Sequence, residues 1–295
     1  MRGYTLDIAA DGIATVVFDL PGKVNVMNDD FFTAMTAVLS TLEAEKARIT
    51  GIILTSAKST FFAGGDLKLM RDAKDGQQEF LFRHFEKLKH FFRRIERFAV
   101  PVVAAINGTA LGGGYELCLA CHRRIAVNNP KTAIGLPEVG FGILPAAGGV
   151  IRLTSLIGLR PALEYLLTGK KVDVQTALRA GLIDEVVETP EAMDAAARAW
   201  IRSNPHVEQP WDKPRELGAH RLSPAQRGEI FSAAAWMQKN GFTTDKAAVR
   251  IADIAAESMY LNFDVASRIE TRGFVWLLLG DEARSKISAF FQKAA

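Results

Sequence analysis

The pattern of apolar and polar positions predicts strands in three parts of the chain, one by alternation and two as continuous apolar runs. The stretch YTLDIAADGIATVVFD, residues 4–19, alternates around Asp11-Gly12 and predicts a β-hairpin. GIILTS, residues 51–56, and VPVVAAI, residues 100–106, are short runs rich in β-branched residues or alanine. Such runs are typical of strands buried in a parallel sheet, so both are predicted to be internal strands.

Two helices are predicted between these strands. Asp29 and Asp30 are expected to cap the first, which runs to about Lys46. The loop STFFAGGDL precedes the second, a long charged amphipathic helix over roughly 77–97. Strand, glycine loop and helix then recur as VVAAI with LGGG and, more weakly, as AIGLPEV with AAGG. This alternation predicts an α/β fold with crossover connections and a ligand site where strands end and helices begin.

The pattern becomes helical from about residue 190. EAMDAAARAWIRS is followed by the polar connector SNPHVEQPWDKPRELGAH, residues 203–220, and then by three helical stretches. We therefore predict a catalytic core over 1–190 and an all-α region over 191–295. The apolar faces of that region should pack against the core or against a partner.

Composition narrows the class of protein. The 295 residues are 48% hydrophobic, which is enough for a large buried core, and the net charge is +3. No basic stripe interleaved with aromatic residues is visible, so nucleic acid is not an expected partner and a small anionic ligand fits at least as well. The uncharged stretch 98–115 contains Pro101, Asn107 and glycines, so it reads as a strand entering a turn and not as a membrane span. No targeting segment is visible at the N terminus, and we expect a cytoplasmic protein.

The two cysteines, Cys118 and Cys121, have the spacing C-x-x-C within an apolar stretch. A zinc site would need a second ligand pair, and His122 alone does not supply it; a thioredoxin-like motif would need a different setting. We interpret both as buried helical thiols in a reducing compartment, and we expect no metal site.

Glycine turns and two glutamates are the candidate chemistry. Gly112, Gly113 and Gly114 in GTALGGGYEL are expected at a strand-to-helix junction, where backbone N–H groups face a ligand. The spacing is neither G-x-G-x-x-G nor a Walker A loop, so a nucleotide site is weakly indicated. AGGD, residues 63–66, offers a second glycine turn, and two converging N–H groups would form an oxyanion hole. Either run taken singly is equally explained as a tight turn.

Glu116 and Glu138 both lie beside such turns. If Glu116 is helical, the residues three and four positions away supply no cation: Gly112, Gly113, Leu119 and Ala120. Glu138 in GLPEVG has similar neighbours. Two carboxylates in apolar surroundings are costly unless they face a polar cavity, where they can share acid and base roles. The alternative is that each points to solvent at the end of a helix or loop.

Three motifs in this order resemble the enoyl-CoA hydratase, or crotonase, superfamily: FFAGGDLKLM, GTALGGGYELCLACHRRIA and AIGLPEVGFGILPAAGGVIRLTSLIG. The similarity covers residues 4–190 and continues through WDKP in a form that resembles the N-terminal hydratase part of multifunctional fatty-acid oxidation proteins. The resemblance implies a spiral of repeated ββα units with an all-α C-terminal region. It also implies an acyl-coenzyme A thioester as substrate and no separate cofactor, because coenzyme A is part of that substrate.

Site residues follow from the resemblance by position. The N–H groups of Gly65 and Gly113 would bind the thioester oxygen. Glu116 would deprotonate a water that adds to C3, and Glu138 would protonate C2. Ala146 stands where many members have a glycine whose N–H contacts that water; alanine keeps the N–H, but its Cβ could shift the loop.

Coenzyme A contacts are also implied by position. The resemblance places them at Ala63 and Asp66 of the glycine turn, and at Lys68 and Lys23. The two lysines are equally explained as ordinary solvated residues.

The expected activity is therefore that of an enoyl-CoA hydratase, a lyase, in fatty-acid β-oxidation. One alternative keeps the same site and moves a double bond from C3 to C2, as a Δ3-Δ2 isomerase. Another is a coenzyme A-binding module of a larger β-oxidation assembly without activity of its own. A homo-oligomer, or association with a partner β-oxidation domain or subunit, is expected in each case.

Overall fold

The computed structural model describes residues 3–213, 224–242 and 245–294. Part of the predicted connector, residues 214–220, lies outside these ranges. The chain divides into two compact units. The first comprises the described residues within 1–66, 87–135 and 171–209, and the second those within 67–86, 136–170 and 210–295. The boundary at residue 190 is a division along the sequence and stays a prediction.

A six-stranded sheet forms the centre of the first unit. Strands β1 (Tyr4–Ile8) and β2 (Ile13–Phe18) pair antiparallel, with Tyr4 opposite Phe18, so the predicted hairpin is present. Gly12 sits in its turn at φ 81°, a conformation that favours glycine. The remaining strands add in parallel in the order β2-β3-β4-β6-β8, where the additional strands are β3 (Gly51–Ser56), β4 (Val102–Ile106), β6 (Arg123–Val127) and β8 (Glu185–Val187).

Helices on this sheet follow the predicted pattern with small shifts at their ends. Helix α1 spans Asp29–Ala44, and its N-cap is Asn28, whose side chain accepts from the Phe31 N–H. The predicted caps Asp29 and Asp30 instead occupy the first turn, where their charges favour the helix dipole. The long amphipathic helix is α3, Gln78–Glu96.

Helix α8 (Pro190–Ser203) closes one face of the sheet. Its buried residues Met193, Ala197 and Ile201 pack in one apolar cluster with residues from four strands, including Ile13, Ile53, Val103 and Ile125. The spacing of these helix positions, four residues apart, is what places them on one face. Although α8 follows residue 190 in the sequence, it completes the core of the first unit.

A second, two-stranded sheet pairs β5 (Ala110–Leu111) with β7 (Ile134–Gly135) in parallel. The strand expected from AIGLPEV is therefore only two residues long. Pro137 has no N–H to continue a ladder, and the chain instead forms a short 3-10 helix over Glu138–Phe141.

The second unit is helical. Besides the short α2 (Leu67–Arg71), it contains α5 (Gly149–Ile157), α6 (Leu159–Thr168), α9 (Pro224–Lys239), α10 (Lys246–Ser258), α11 (Phe263–Leu278) and α12 (Asp281–Ala294). The α/β class with a helical C-terminal region is thus confirmed. Within the described ranges, no helix is both long and apolar enough to cross a membrane.

Candidate active site

The glycine run GTALGGG forms the junction between β5 and helix α4 (Gly113–Ala120). The chain turns at Gly112, with φ 52° and ψ −130°, which side chains other than hydrogen rarely allow. The Tyr115 and Glu116 N–H groups both donate to the Gly112 carbonyl, at 2.8 and 2.9 Å, and so start the helix. The Gly113 N–H belongs to the first turn, where helical N–H groups have no partner within the helix.

The AGGD loop runs beside this junction. The Leu111 N–H donates to the Phe62 carbonyl at 3.1 Å, which fastens β5 to the segment before the loop. On its other side, the Met27 N–H donates to the Gly64 carbonyl at 3.1 Å, within an isolated parallel bridge that pairs Met27 with Gly65. A Cβ placed on Gly113 would lie 3.6 Å from the Gly65 nitrogen.

The two predicted oxyanion donors, Gly65 and Gly113, are therefore neighbours in the first unit. A Cβ on Gly113 would also lie 2.8 Å from the Met27 Sδ, so the site has little room for a side chain at this position. Two backbone N–H groups on adjacent segments can donate to one oxygen atom that gains negative charge. The oxyanion hole itself stays a prediction; the structure shows that the two segments that would form it are adjacent.

Glu116 lies in the first turn of α4 and is 2% exposed. Every residue of this helix is buried, so Glu116 does not point into solvent as a residue at a helix end ordinarily would. The neighbouring Tyr115 donates its hydroxyl to the Leu182 carbonyl at 2.7 Å, which fixes the rotation of the helix. The carboxylate is thus held one turn from the Gly113 N–H, on a rigid element.

The C-x-x-C thiols lie on the same helix and its end. Cys118 and Cys121 are fully buried, and their Sγ atoms contact the carbonyls of Gly114 and Leu117 at 3.3 Å. Both contacts are of the kind expected for helical thiols, as predicted. Among residues 3–213, 224–242 and 245–294, no group of three or more His, Cys, Asp or Glu is arranged to hold a metal ion.

The predicted coenzyme A contacts are spread over both units. In the first unit Lys23 and Ala63 are exposed and Asp66 is half-buried; in the second, Lys68 is exposed on α2. One hydrogen bond joins the segments that carry Lys23, Ala63 and Asp66: the Ala63 N–H donates to the carbonyl of Asn25, two residues after Lys23, at 2.9 Å.

Asn25 and Lys58 support the loop that carries Lys23 and its contact with the AGGD loop, and neither residue was predicted from the sequence. Asn25 is fully buried: its Oδ1 accepts from the Leu20 N–H at 2.9 Å, and its Nδ2 donates to Ser56 Oγ at 2.8 Å. The Lys58 ammonium donates to the carbonyls of Leu20 and Gly22. Leaving one such buried group without its partner costs about 1–3 kcal/mol, so the loop before Lys23 has one preferred shape. A polar residue between two valines in KVNVM is the only sequence signal for Asn25.

The second unit holds the other two predicted site residues. Glu138 is half-buried at the start of the 3-10 helix, and its carbonyl accepts from the Ile143 N–H at 3.3 Å. Ala146 is 6% exposed in the loop between this helix and α5. Glu138 and Ala146 thus belong to one continuous turn of chain that is internally hydrogen-bonded.

Comparison with known proteins agrees with these motifs. The profile of the family described as enoyl-CoA hydratase/isomerase matches residues 9–218. The fatty acid oxidation complex subunit alpha of Idiomarina loihiensis is 38% identical over 212 residues, which cover 71% of this chain and 29% of that subunit. The chain therefore spans less than a third of that relative's length.

Solved structures share the fold over nearly the whole chain. An enoyl-CoA hydratase from Bacillus halodurans has a TM-score of 0.67 at 25% identity and covers 97% of this chain and 99% of its own. The human mitochondrial delta3-delta2-enoyl-CoA isomerase has a TM-score of 0.67 at 23% identity, covering 99% and 98%, and that likeness concerns the fold alone. Because the profile match covers more than half of its residues, the chain belongs to the enoyl-CoA hydratase/isomerase family.

Proposed function

We propose that this protein hydrates trans-2-enoyl-CoA thioesters to 3-hydroxyacyl-CoA in fatty-acid β-oxidation. The observation that carries the proposal is the 3.6 Å separation between the Gly113 Cβ position and the Gly65 nitrogen, with Glu116 buried one turn further along α4. Hydration needs both parts: an oxyanion hole that polarises the thioester and a base that activates water.

The roles follow the order of bond changes. Hydrogen bonds from the Gly65 and Gly113 N–H groups draw electrons toward the thioester oxygen, which makes C3 electrophilic. Glu116 takes a proton from water as the water oxygen bonds to C3, and the resulting enolate-like charge rests on the thioester oxygen. Glu138 then gives a proton to C2, so the product contains one added water. The Ala146 N–H would contact the attacking water. The reaction needs no cofactor besides the coenzyme A that the substrate carries.

Replacing either glutamate tests this proposal. Glu116→Gln and Glu138→Gln each keep the size of the side chain but cannot exchange a proton, and each should lower kcat for crotonyl-CoA by about 10²- to 10⁴-fold. The measurement is the loss of enoyl-thioester absorbance with crotonyl-CoA and with a longer trans-2-enoyl-CoA. Glu164→Gln on the exposed face of α6 is the matched control and should retain full activity.

Two other outcomes identify the alternatives. If the wild type leaves trans-2-enoyl-CoA unchanged but produces conjugated-thioester absorbance from trans-3-hexenoyl-CoA, the protein is an isomerase and the hydratase proposal is wrong. If it binds butyryl-CoA calorimetrically and turns over neither substrate, it is a binding module. The name of the Idiomarina relative, a subunit of a fatty acid oxidation complex, supports an assembly with itself or with a partner β-oxidation subunit.

A further inference from the structure

The loop that carries Ala146 is held by charged side chains buried in the second unit. Arg152, in the first turns of α5, is 1% exposed, and Glu270 on α11 is fully buried. Burying a charge costs free energy unless it is paired and hydrogen-bonded, so charged groups in such positions require specific contacts. Arg152 contacts the segment 143–149, which we call the water loop, and Glu270 contacts the first turn of helix α5, which follows that loop.

Arg152 reaches back to the water loop from α5. Its Nη1 donates to the Ala147 carbonyl at 2.6 Å, and a Cβ on Gly148 would lie 1.8 Å from the same nitrogen. Gly148 has φ 99°, so the loop passes the guanidinium in a conformation and at a distance that only glycine permits.

An aromatic pair fixes the position of the guanidinium. The Arg152 Cζ lies 5.0 Å from the centre of the Phe263 ring and 5.9 Å from that of Trp211, and the two rings stack at 5.6 Å. Aromatic faces attract cations, and this attraction is stronger away from water. Trp211 belongs to the WDKP motif, so this motif contributes directly to holding Arg152 in place.

Glu270 contacts the helix that follows the water loop. Its Oε2 accepts from the Ile151 N–H at 3.3 Å, in the first turn of α5. The N-cap of that helix is Gly148, which has no side chain to perform this role. A carboxylate from a residue 119 positions later therefore replaces the missing cap and suits the positive end of the helix dipole.

We infer that Arg152 and Glu270 are positioning residues that hold the water loop, and with it the Ala146 N–H, in the geometry that hydration needs. The inference rests on the proposed function for the identity of the reaction. The Ile143 N–H to Glu138 carbonyl bond ties the same loop to the proposed proton donor. Arg152 and Glu270 act through the backbone and touch no substrate.

Four variants test the inference. Arg152→Lys keeps the charge but loses the planar donor group that reaches the Ala147 carbonyl, and Glu270→Leu removes the acceptor. Glu270→Gln retains an acceptor oxygen and should largely restore the behaviour of the wild type. Thr271→Val is the matched control: Thr271 is also fully buried on α11, but its hydroxyl donates to Glu86 Oε1 at 2.5 Å and does not reach the loop.

Two measurements on the full chain decide the outcome. Amide hydrogen exchange of a peptide covering 143–149 should be faster by about tenfold or more in Arg152→Lys and Glu270→Leu, and unchanged in Thr271→Val. For crotonyl-CoA, kcat should fall about 10- to 100-fold while KM and the inhibition constant of butyryl-CoA stay within about twofold. If the effect came only from removing a buried polar contact on α11, Thr271→Val would show it as well. A general loss of structure would also weaken thioester binding.

The inference is overturned if loop exchange in Arg152→Lys and Glu270→Leu equals that of the wild type, or if Thr271→Val accelerates it equally. It is also overturned if the loop exchanges faster while kcat is preserved. Failure of the proposed function is recognised separately, because a wild type that hydrates no enoyl thioester fails before any variant is compared. The exchange experiment then still decides whether the two side chains hold the loop.

Discussion

Gly113 carries only a hydrogen atom where the two segments with the proposed oxyanion donors approach each other. A methyl group at this position would lie 2.8 Å from the Met27 Sδ and 3.6 Å from the Gly65 nitrogen. The Met27 side chain is flexible and can move, whereas the methyl group would crowd the space beside the Gly65 nitrogen. The cost should therefore fall on catalysis more than on folding.

We predict that Gly113→Ala lowers kcat/KM for crotonyl-CoA by about 10²-fold, because its methyl group would crowd the proposed binding position of the thioester oxygen and weaken the hydrogen bonds to it. The thermal midpoint should change little. Gly228→Ala is the control, because Gly228 is an exposed helical residue with open space where its Cβ would be. Equal activity of Gly113→Ala and wild type would show that the two N–H groups do not bind the reacting oxygen.

The roles of residues that contact partners far away along the chain could not be predicted from the sequence. Asn25 contacts Ser56, 31 positions away, and Glu270 contacts Ile151, 119 positions away. The residues next to Asn25 and Glu270 in the sequence do not indicate these contacts, because only the folding of the chain brings the partners together. Glu116 and the glycines could be picked out from the sequence, because the glycines themselves indicate the turn and the start of the helix.

At the scale of elements, continuous apolar runs were predicted well and short irregular elements were not. GIILTS became β3 without a shift, since a strand buried on both faces needs no alternation. The 3-10 helix at Glu138 and the two-residue strands β5 and β7 depend on side-by-side pairing and on Pro137, and their sequences resemble ordinary loops. Helix α4 is buried on all sides and only eight residues long, so its start was predicted from the glycine turn and not from a helical period.

The complete burial of α4 gives a prediction for its thiols. Burial raises the pKa of the Cys118 thiol well above its ordinary value, and the nearby Cys121 adds to this rise. Neither thiol should react with a disulfide reagent in the native protein at mildly alkaline pH, and both should react in concentrated guanidinium chloride.

The same pKa shift has a defined sign for stability. Below the ordinary thiol pKa of 9.0, Cys118 is protonated in both the folded and the unfolded chain, and its contribution to stability is fully present. Above that pH the thiol ionises first in the unfolded chain, so the free energy of unfolding falls as pH rises. Cys118→Ala should reduce that fall. A rapidly reacting native thiol, or an identical alkaline profile in the variant, would contradict the buried position of α4.

At the scale of the whole molecule, the second unit exposes large apolar side chains. Trp276 is 52% exposed, Phe80 54% and Phe290 44%. Aromatic residues are enriched at surfaces that bind another protein. The chain also spans only 29% of the Idiomarina subunit, whose name places it in a complex.

We predict that the isolated chain forms an oligomer at micromolar concentration, with a solution mass of at least two copies of the 32.2 kDa chain. Light scattering coupled to gel filtration gives this mass directly. Trp276→Lys should shift the distribution toward the monomer, while Lys239→Glu on α9 should not. A monomer at every concentration, combined with strong binding of an apolar dye, would instead favour a module separated from its partner surface.

The order of the strands has a consequence for synthesis of the protein on the ribosome. The six strands lie in the sheet in the order in which they are translated, so each new strand can pair with one already made. The apolar face formed by Ile53, Val103 and Ile125 nevertheless waits for α8, which ends about 75 residues after β6. At ~5–20 residues per second this interval lasts roughly 4–15 s. During those seconds the growing chain presents an uncovered sheet, and a ribosome that stalls there would hold a substrate for chaperones.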